Sequence, residues 1–272
     1  MAGATLDMAP TSSLVQAVRF VRLLLHVLRG AATIAFVFPV VGRAGQRRLI
    51  EGWSRGLLRV LRVRLQRPEI AAFEPRSLIL ANHVSWLDIW LLHSVSAVCF
   101  VAKAELRSWP LIGWMAHRSQ TLFIQRERRR DTSRINQNVQ LALHARETVA
   151  IFPEGTTSDG TSVRRFNASL LQPALEMEAQ VHVLAIRYRT SDGCTNLEVA
   201  YADGTTLWQS LKKILAHREV AAELIYLGEL DVSGRTRREI AQDAENRVRN
   251  MIAPNSPSNP LETARGLPTE LP

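Results

Sequence analysis

The chain has 272 residues, 46% hydrophobic and 22% charged, which suits one globular domain with an ample core and appendages rather than two full domains. A formal charge of +9 draws the surface towards polyanions, either nucleic acid or an anionic bilayer. The two cysteines, Cys99 and Cys194, exclude a disulfide framework and read as small core residues in a reducing compartment; no zinc-ligand spacing appears among Cys and His, so no metal site is expected.

In chain order, the first feature is a strongly apolar stretch from Leu23 to Val41, broken by His26, Arg29 and Pro39. A transmembrane helix needs about 20 nearly uncharged residues, and a central arginine costs roughly 2.5–3.5 kcal/mol on insertion scales, so a re-entrant or interfacial segment fits at least as well as a span. A cleaved signal peptide fits poorly, because Arg29 splits the apolar region and no small-residue cleavage site follows. From Ile50 to Leu61 the pattern becomes amphipathic, with Ile50, Trp53, Leu57 and Leu61 at helical spacing and Arg48, Arg55, Arg59 and Arg62 around the turn. Such a helix either lies in a headgroup layer or docks on the domain. Residues 1–67 are therefore expected to form membrane-associated N-terminal helices. Their arginines alternate with apolar text and no nucleic-acid motif accompanies them, so the expected polyanion is anionic membrane lipid and not nucleic acid.

After Pro68, short apolar runs alternate with helical patterns. Ser77–Ala81 precedes Ile89–Ser94, Val98–Ala102 precedes Ser108–His117, Thr121–Gln125 precedes Thr132–His144, and Val149–Phe152 precedes Ala168–Met177. Val181–Tyr188, Asn196–Ala200 and Ala222–Leu227 add strands, and Leu207–His217 and Arg237–Met251 add helices. This βα alternation predicts an α/β fold, with a mixed, largely parallel sheet flanked by helices, over residues 68–252. Residues 253–272, rich in Pro, Ser, Asn and Thr, carry too little apolar surface for a core and read as a disordered tail.

Two polar motifs each follow an apolar run. Asn82-His83-Val84-Ser85-Trp86-Leu87-Asp88 comes after Leu78–Ala81, and Phe152-Pro153-Glu154-Gly155-Thr156 after Val149–Ile151. The first supplies an imidazole with a possible orienting carboxylate; the second supplies a carboxylate and a Gly-Thr turn able to hold a polar substrate. A third run, Thr121–Gln125, ends on the guanidinium of Arg126, a group suited to bidentate phosphate binding. In a parallel sheet all three motifs gather at the carboxyl edge, where open α/β folds bind ligands. An H-x4-D pair alone is weak, since a His capping a helix with an Asp in its first turn gives the same spacing. Residues five apart on a continuous helix point ~140° from one another, so cooperation of His83 with Asp88 requires a turn between strand and helix.

In order and wording these motifs, together with Phe100–Leu106 and Pro110–Trp114, resemble the glycerolipid acyltransferase family of the 1-acyl-sn-glycerol-3-phosphate acyltransferase type, over about Ser77 to Tyr188. The resemblance implies transfer of a fatty acyl group from acyl-CoA or acyl carrier protein to the free hydroxyl of lysophosphatidic acid, giving phosphatidic acid. It implies His83 and Asp88 as the base unit, Glu154, Gly155 and Thr156 as acceptor-holding residues, and Arg126 as phosphate ligand. No cofactor beyond the thioester donor is implied, and the enzyme would sit on the cytoplasmic face of the inner membrane. Two departures concern the head group: the usual arginine after Glu-Gly-Thr is here Thr157, leaving Arg164 or Arg165 as substitutes, and the run Val181–Ile186 lacks its common proline. The rival acceptor is another lysolipid such as a lyso-ornithine lipid. The rival from a different class is a non-enzymatic membrane-binding protein that keeps the fold.

Overall fold

The computed structural model describes residues 11–67, 73–103, 108–119, 121–124, 129–202 and 204–253. A strand with apolar residues at nearly every position needs cover on both faces. Strand β2 (Ser77–Ala81) is of this kind, buried along its whole length. Leu78 and Leu80 enter one core with Val149, Ile151, Val181 and Val183. Ile79 and Ala81 point the other way and join Ala150, Leu184 and Ile186. The same alternation runs through β5 (Val149–Ile151) and β6 (Gln180–Arg189), so three strands hold the two layers of helices apart.

The seven strands lie in the order β1-β7-β6-β2-β5-β3-β4, where β1 is Val63–Gln66, β3 Cys99–Lys103, β4 Leu122–Ile124 and β7 Val220–Leu230. Pairing is parallel throughout except between β6 and β7. On one face lie α5 (Arg129–His144), α6 (Gln172–Glu176) and α8 (Arg237–Ile252). On the other lie α1 (Ser13–Ala32), α2 (Arg43–Val60), α3 (Leu87–Val95) and α7 (Leu207–Ala216), with α4 (Ile112–Arg118) leading into β4. The mixed, mostly parallel α/β sheet expected from the sequence is therefore present.

Three local features differ from expectation. Strand β1 precedes Pro68 and pairs with β7, so the sheet recruits four residues from the stretch read as N-terminal helices. Asn196–Ala200 is not a strand: the Asn196 carboxamide accepts from Glu198 N at 3.1 Å and caps a 3₁₀ turn at Leu197–Val199. Cys99 is buried as expected, but Cys194 is exposed in the turn after β6.

Helix α1 is fastened to the domain at both ends. Thr11 N–H donates to Ala216 O at 2.8 Å, and the buried Arg19 guanidinium donates to Leu215 O at 3.0 Å, satisfying carbonyls at the carboxyl end of α7. Further along, the His26 ring and Trp53 O are 2.9 Å apart, while Trp53 Nε1 donates to His26 O at 3.0 Å. Two glycines permit this approach of α1 to α2. A Cβ on Gly30 would stand 2.3 Å from Trp53 Nε1, and one on Gly56 would stand 2.5 Å from His26 Cε1. Beyond α1 the chain continues through a π-helical turn, Thr33–Val37, into a 3₁₀ turn, Phe38–Val40.

The crossing yields a paired prediction. Gly30→Ala should destabilise the protein by about 1–3 kcal/mol, because the added methyl collides with an indole held by its bond to His26 O and by contacts with the His26 and Trp90 rings. Gly52→Ala lies on the same helix pair, but its added methyl has no neighbour within 4 Å. It should stabilise by roughly 0.5–1 kcal/mol through the helix preference for Ala over Gly. Denaturant unfolding of the two variants checks this, and shifts of the same sign would contradict the close crossing.

Candidate active site

The His83 motif occupies the loop between β2 and α3, which supplies the required turn. Asn82 extends β2 with its side chain: Nδ2 donates to Ile186 O at 2.9 Å and Oδ1 accepts from Ile186 N at 2.8 Å, continuing the ladder towards β6. From His83 to Ser85 every backbone polar group then has a partner. His83 N–H donates to Glu154 Oε1 at 2.8 Å, and Ser158 N–H donates to His83 O at 2.8 Å. Val84 O accepts from Tyr201 N–H at 2.8 Å, and Ser85 O from Asp88 N–H at 3.0 Å. The remaining donors, Val84 N–H and Ser85 N–H, both go to Asp88 Oδ2, at 2.7 and 2.9 Å.

Asp88 sits in the first turn of α3 with its side chain 0% exposed. Its Oδ2 also meets His83 Nδ1 at 2.8 Å, while Oδ1 accepts the Tyr188 hydroxyl at 2.6 Å. A carboxylate ringed by donors can only accept, so the proton between the two rests on Nδ1, and Nε2 carries the imidazole lone pair. The His83 side chain is 19% exposed and its ring stacks on Phe152, with centroids 4.0 Å apart and planes 5° apart. His217 also meets a carboxylate, Glu198 Oε2 at 2.9 Å, but that side chain is 58% exposed. His93 is enclosed by Trp90 and Phe100, and burial pushes its pKa down to about 3, leaving it neutral and shut away from solvent.

The Glu154 motif follows β5, the strand beside β2. Phe152, Pro153, Glu154 and Gly155 close a β-turn, with Gly155 N–H donating to Phe152 O at 3.1 Å and Gly155 at φ +76°. Glu154 uses one oxygen for His83 N–H and the other for Arg164 N–H, at 2.9 Å. It thus staples the histidine loop to the loop that carries the exposed Arg164 and Arg165. Burial pushes its pKa up, against the pull of the Arg164 and His83 backbone donors. Each oxygen keeps a second lone pair for a substrate hydroxyl.

The structure thus brings together His83, Asp88, Glu154 and Gly155, with Thr156 exposed at the turn. Arg126 lies outside the described residues. The strand that precedes it in sequence, β4, ends at Ile124 and is three places from β2, about 14 Å across the sheet at the usual strand spacing. Thr157 donates its hydroxyl proton to Tyr201 O. Tyr188 went unnoticed in the sequence, where the signal was a lone aromatic near the end of the β6 run. Ser85 offers no nucleophile, since its side chain is fully buried.

The family model described as Acyltransferase matches residues 62–189. The chain is similar to a lyso-ornithine lipid O-acyltransferase of Pseudomonas aeruginosa, 35% identical over 220 residues, or 81% of this chain and 83% of that protein. It is also similar to a 1-acyl-sn-glycerol-3-phosphate acyltransferase of Neisseria meningitidis, 39% identical over 167 residues, 59% of this chain and 66% of that one. The crystal structure of a 1-acyl-sn-glycerophosphate acyltransferase from Thermotoga maritima shares the fold, with a TM-score of 0.61 over 93% of this chain and 100% of that chain, at 19% identity. With the His83 and Glu154 motifs side by side at one sheet edge, and the Pseudomonas relative 35% identical over 81% of this chain and 83% of its own length, the protein belongs to the acyltransferase family.

Proposed function

We propose that the protein is a lysolipid O-acyltransferase, with lysophosphatidic acid as the leading acceptor and acyl-CoA or acyl carrier protein as the thioester donor. The observation that carries this reading is the 2.8 Å contact between His83 Nδ1 and the buried Asp88 carboxylate, which leaves Nε2 as a base at the mouth of the sheet. An alcohol is too weak an acid to attack a thioester unaided at neutral pH. Nε2 takes the hydroxyl proton as the oxygen bonds to the carbonyl carbon; the C–S bond then breaks, and the imidazolium returns the proton to the departing thiolate. Asp88 stabilises the imidazolium, and no covalent acyl-enzyme is required. Glu154, Gly155 and Thr156 hold the acceptor beside the base, and Arg126 takes its phosphate.

A second reading of the acceptor has its own support. Thr157, where many phosphate-binding relatives carry arginine, is turned onto Tyr201 O, so no cation stands at that position. The Pseudomonas relative, which aligns over most of this chain, is named for lyso-ornithine lipid. A non-enzymatic membrane protein of the same fold would have no use for a buried carboxylate aimed at a half-buried imidazole open on one side.

We place the enzyme on the membrane, on its cytoplasmic face, where thioester donors occur. The helical run Ser13–Val40 is 28 residues long and holds an 18-residue window of mean hydropathy 1.8, enough by length and composition to cross a bilayer. Leu14, Val18, Val21, Leu25 and Leu28 form one exposed stripe, while Arg19, Leu23 and Gly30 face the protein. A helix bonded to the domain at both ends is better suited to lying half-sunk in an anionic leaflet than to crossing it.

Three outcomes are expected. His83→Ala should lower turnover by about two to four orders of magnitude with the fold intact by circular dichroism, and Asp88→Asn should also be damaging. A folded His83→Ala enzyme of near-normal rate would refute the mechanism. In an acceptor panel with labelled acyl-CoA and acyl carrier protein, Arg126→Ala should raise the KM for lysophosphatidic acid roughly 10- to 100-fold, the loss of charge-assisted bonds worth about 1.5–3 kcal/mol, and should spare a phosphate-free acceptor. Wild type that acylates lyso-ornithine lipid and ignores lysophosphatidic acid would replace the leading acceptor. Finally, the protein should co-sediment with anionic vesicles, and serine at Leu14, Val18, Val21 and Leu25 should abolish this without unfolding it. Unaltered protein that stays in the supernatant would contradict the membrane assignment.

A further inference from the structure

We propose that Tyr188 is a positioning residue for the His83–Asp88 pair: its hydroxyl, delivered to Asp88 Oδ1 from β6, sets the orientation of the carboxylate and, through it, the basicity of the imidazole. The proposal rests on His83 being the base.

The two oxygens of Asp88 carry different loads. Oδ2 receives His83 Nδ1, Val84 N–H and Ser85 N–H, whereas Oδ1 receives Tyr188 at 2.6 Å. The three donors on Oδ2 all come from the residues just before α3. By themselves they fix one end of the carboxylate and leave it free to turn about that end. Tyr188 anchors the other end from a strand 100 residues away in sequence. Where Tyr188 arrives is also determined: Ala81 pairs with Leu184, and the Asn82 side chain locks Ile186 by two bonds, so Tyr188 follows two residues further on the same face.

Packing alone does not account for the hydroxyl. The Tyr188 ring lies in the apolar cluster with Ile79, Leu87, Leu91 and Ile186, where a phenylalanine would serve equally. The hydroxyl alone reaches the carboxylate. Burial, then the charge of Asp88, holds the phenol well above its ordinary pKa, so it stays protonated and donating across the working pH range.

The chemical consequence has a definite sign. A donor on Oδ1 draws negative charge away from Oδ2 and lowers its pull on the imidazolium. Removing the donor concentrates charge on Oδ2, stabilises protonated His83 and raises the pH needed to free its base form. Among the described residues, the titratable groups facing His83 are Asp88 from α3 and Glu154 from the turn after β5, with Tyr188 of β6 acting through Asp88; Phe152 covers the ring with an apolar face. Glu154 reaches His83 through the backbone N–H, so a change at Tyr188 leaves that contact in place.

The test uses the full-length enzyme with acyl donor and lysolipid acceptor, and reads kcat, KM and the acid limb of kcat/KM against pH. Tyr188→Phe should lower kcat about ten-fold, leave the acceptor KM unchanged, and move the acid limb up by roughly half to one pH unit. Replacing Tyr188 by 3-fluorotyrosine keeps ring and hydroxyl but makes a stronger donor, and should move the acid limb down. This second variant carries the test if Tyr188→Phe does not fold. An unmoved acid limb in the folded variants, whether or not kcat falls, would reduce Tyr188 to a packing residue and overturn the proposal. Full activity in His83→Ala would instead remove the base assignment on which the proposal stands, a result read independently of Tyr188.

Discussion

A carboxylate withdrawn wholly from water must be surrounded by donors, and that requirement at Asp88 organises this protein. An unpaired buried charge costs several kcal/mol, and a segment that turned Asp88 inward without partners would not stay folded there. The partners come from the preceding loop, through Val84 and Ser85 N–H, from the His83 ring, and from Tyr188 on β6. Meeting them requires that β2 end at Ala81, that the loop turn at once into α3, and that β6 lie beside β2 in one register. The imidazole orientation is thus a by-product of solving a burial problem.

The same logic explains how the second motif reaches the first. The N–H of His83 points towards β5, and Glu154 meets it because β5 is the neighbour of β2 and is followed by Phe152, which stacks on the ring. The loop of residues 158–164 returns across the site, joined to it by Ser158 N–H on His83 O and Arg164 N–H on Glu154. Neither motif holds its shape alone; each supplies bonds that the other lacks.

What could be read from the sequence follows the range of the forces involved. The strands β2, β5 and β6 were legible because consecutive apolar residues have one structural meaning once helices cover both faces. The placement of His83 and Glu154 after such runs was equally local. Strand β1 was not legible: Val63-Arg64-Leu65-Gln66 is a four-residue edge strand whose only strong argument is its partner β7, some 155 residues later. Asn196–Ala200 misled because its apolar residues serve a capped turn. Tyr188 and the inward Thr157 hydroxyl were out of reach, since each is defined by a contact to a distant element and neither carries a local pattern.

The division between buried and exposed parts of the site bears on substrate choice. The proposed base unit, His83 with Asp88, is locked by bonds to a buried carboxylate, where a change costs kcal/mol and disturbs the fold. The proposed acceptor side includes Thr156 and is bordered by Arg164 and Arg165, all exposed residues, where substitutions usually shift stability by less than about 0.5 kcal/mol. A scaffold so built can exchange one lysolipid head group for another without rebuilding its chemistry, which accounts for similar relatives that carry the names of different acceptors. Head-group preference should therefore be sought in the cations that border the turn after β5, and catalytic competence in the carboxylate beneath it.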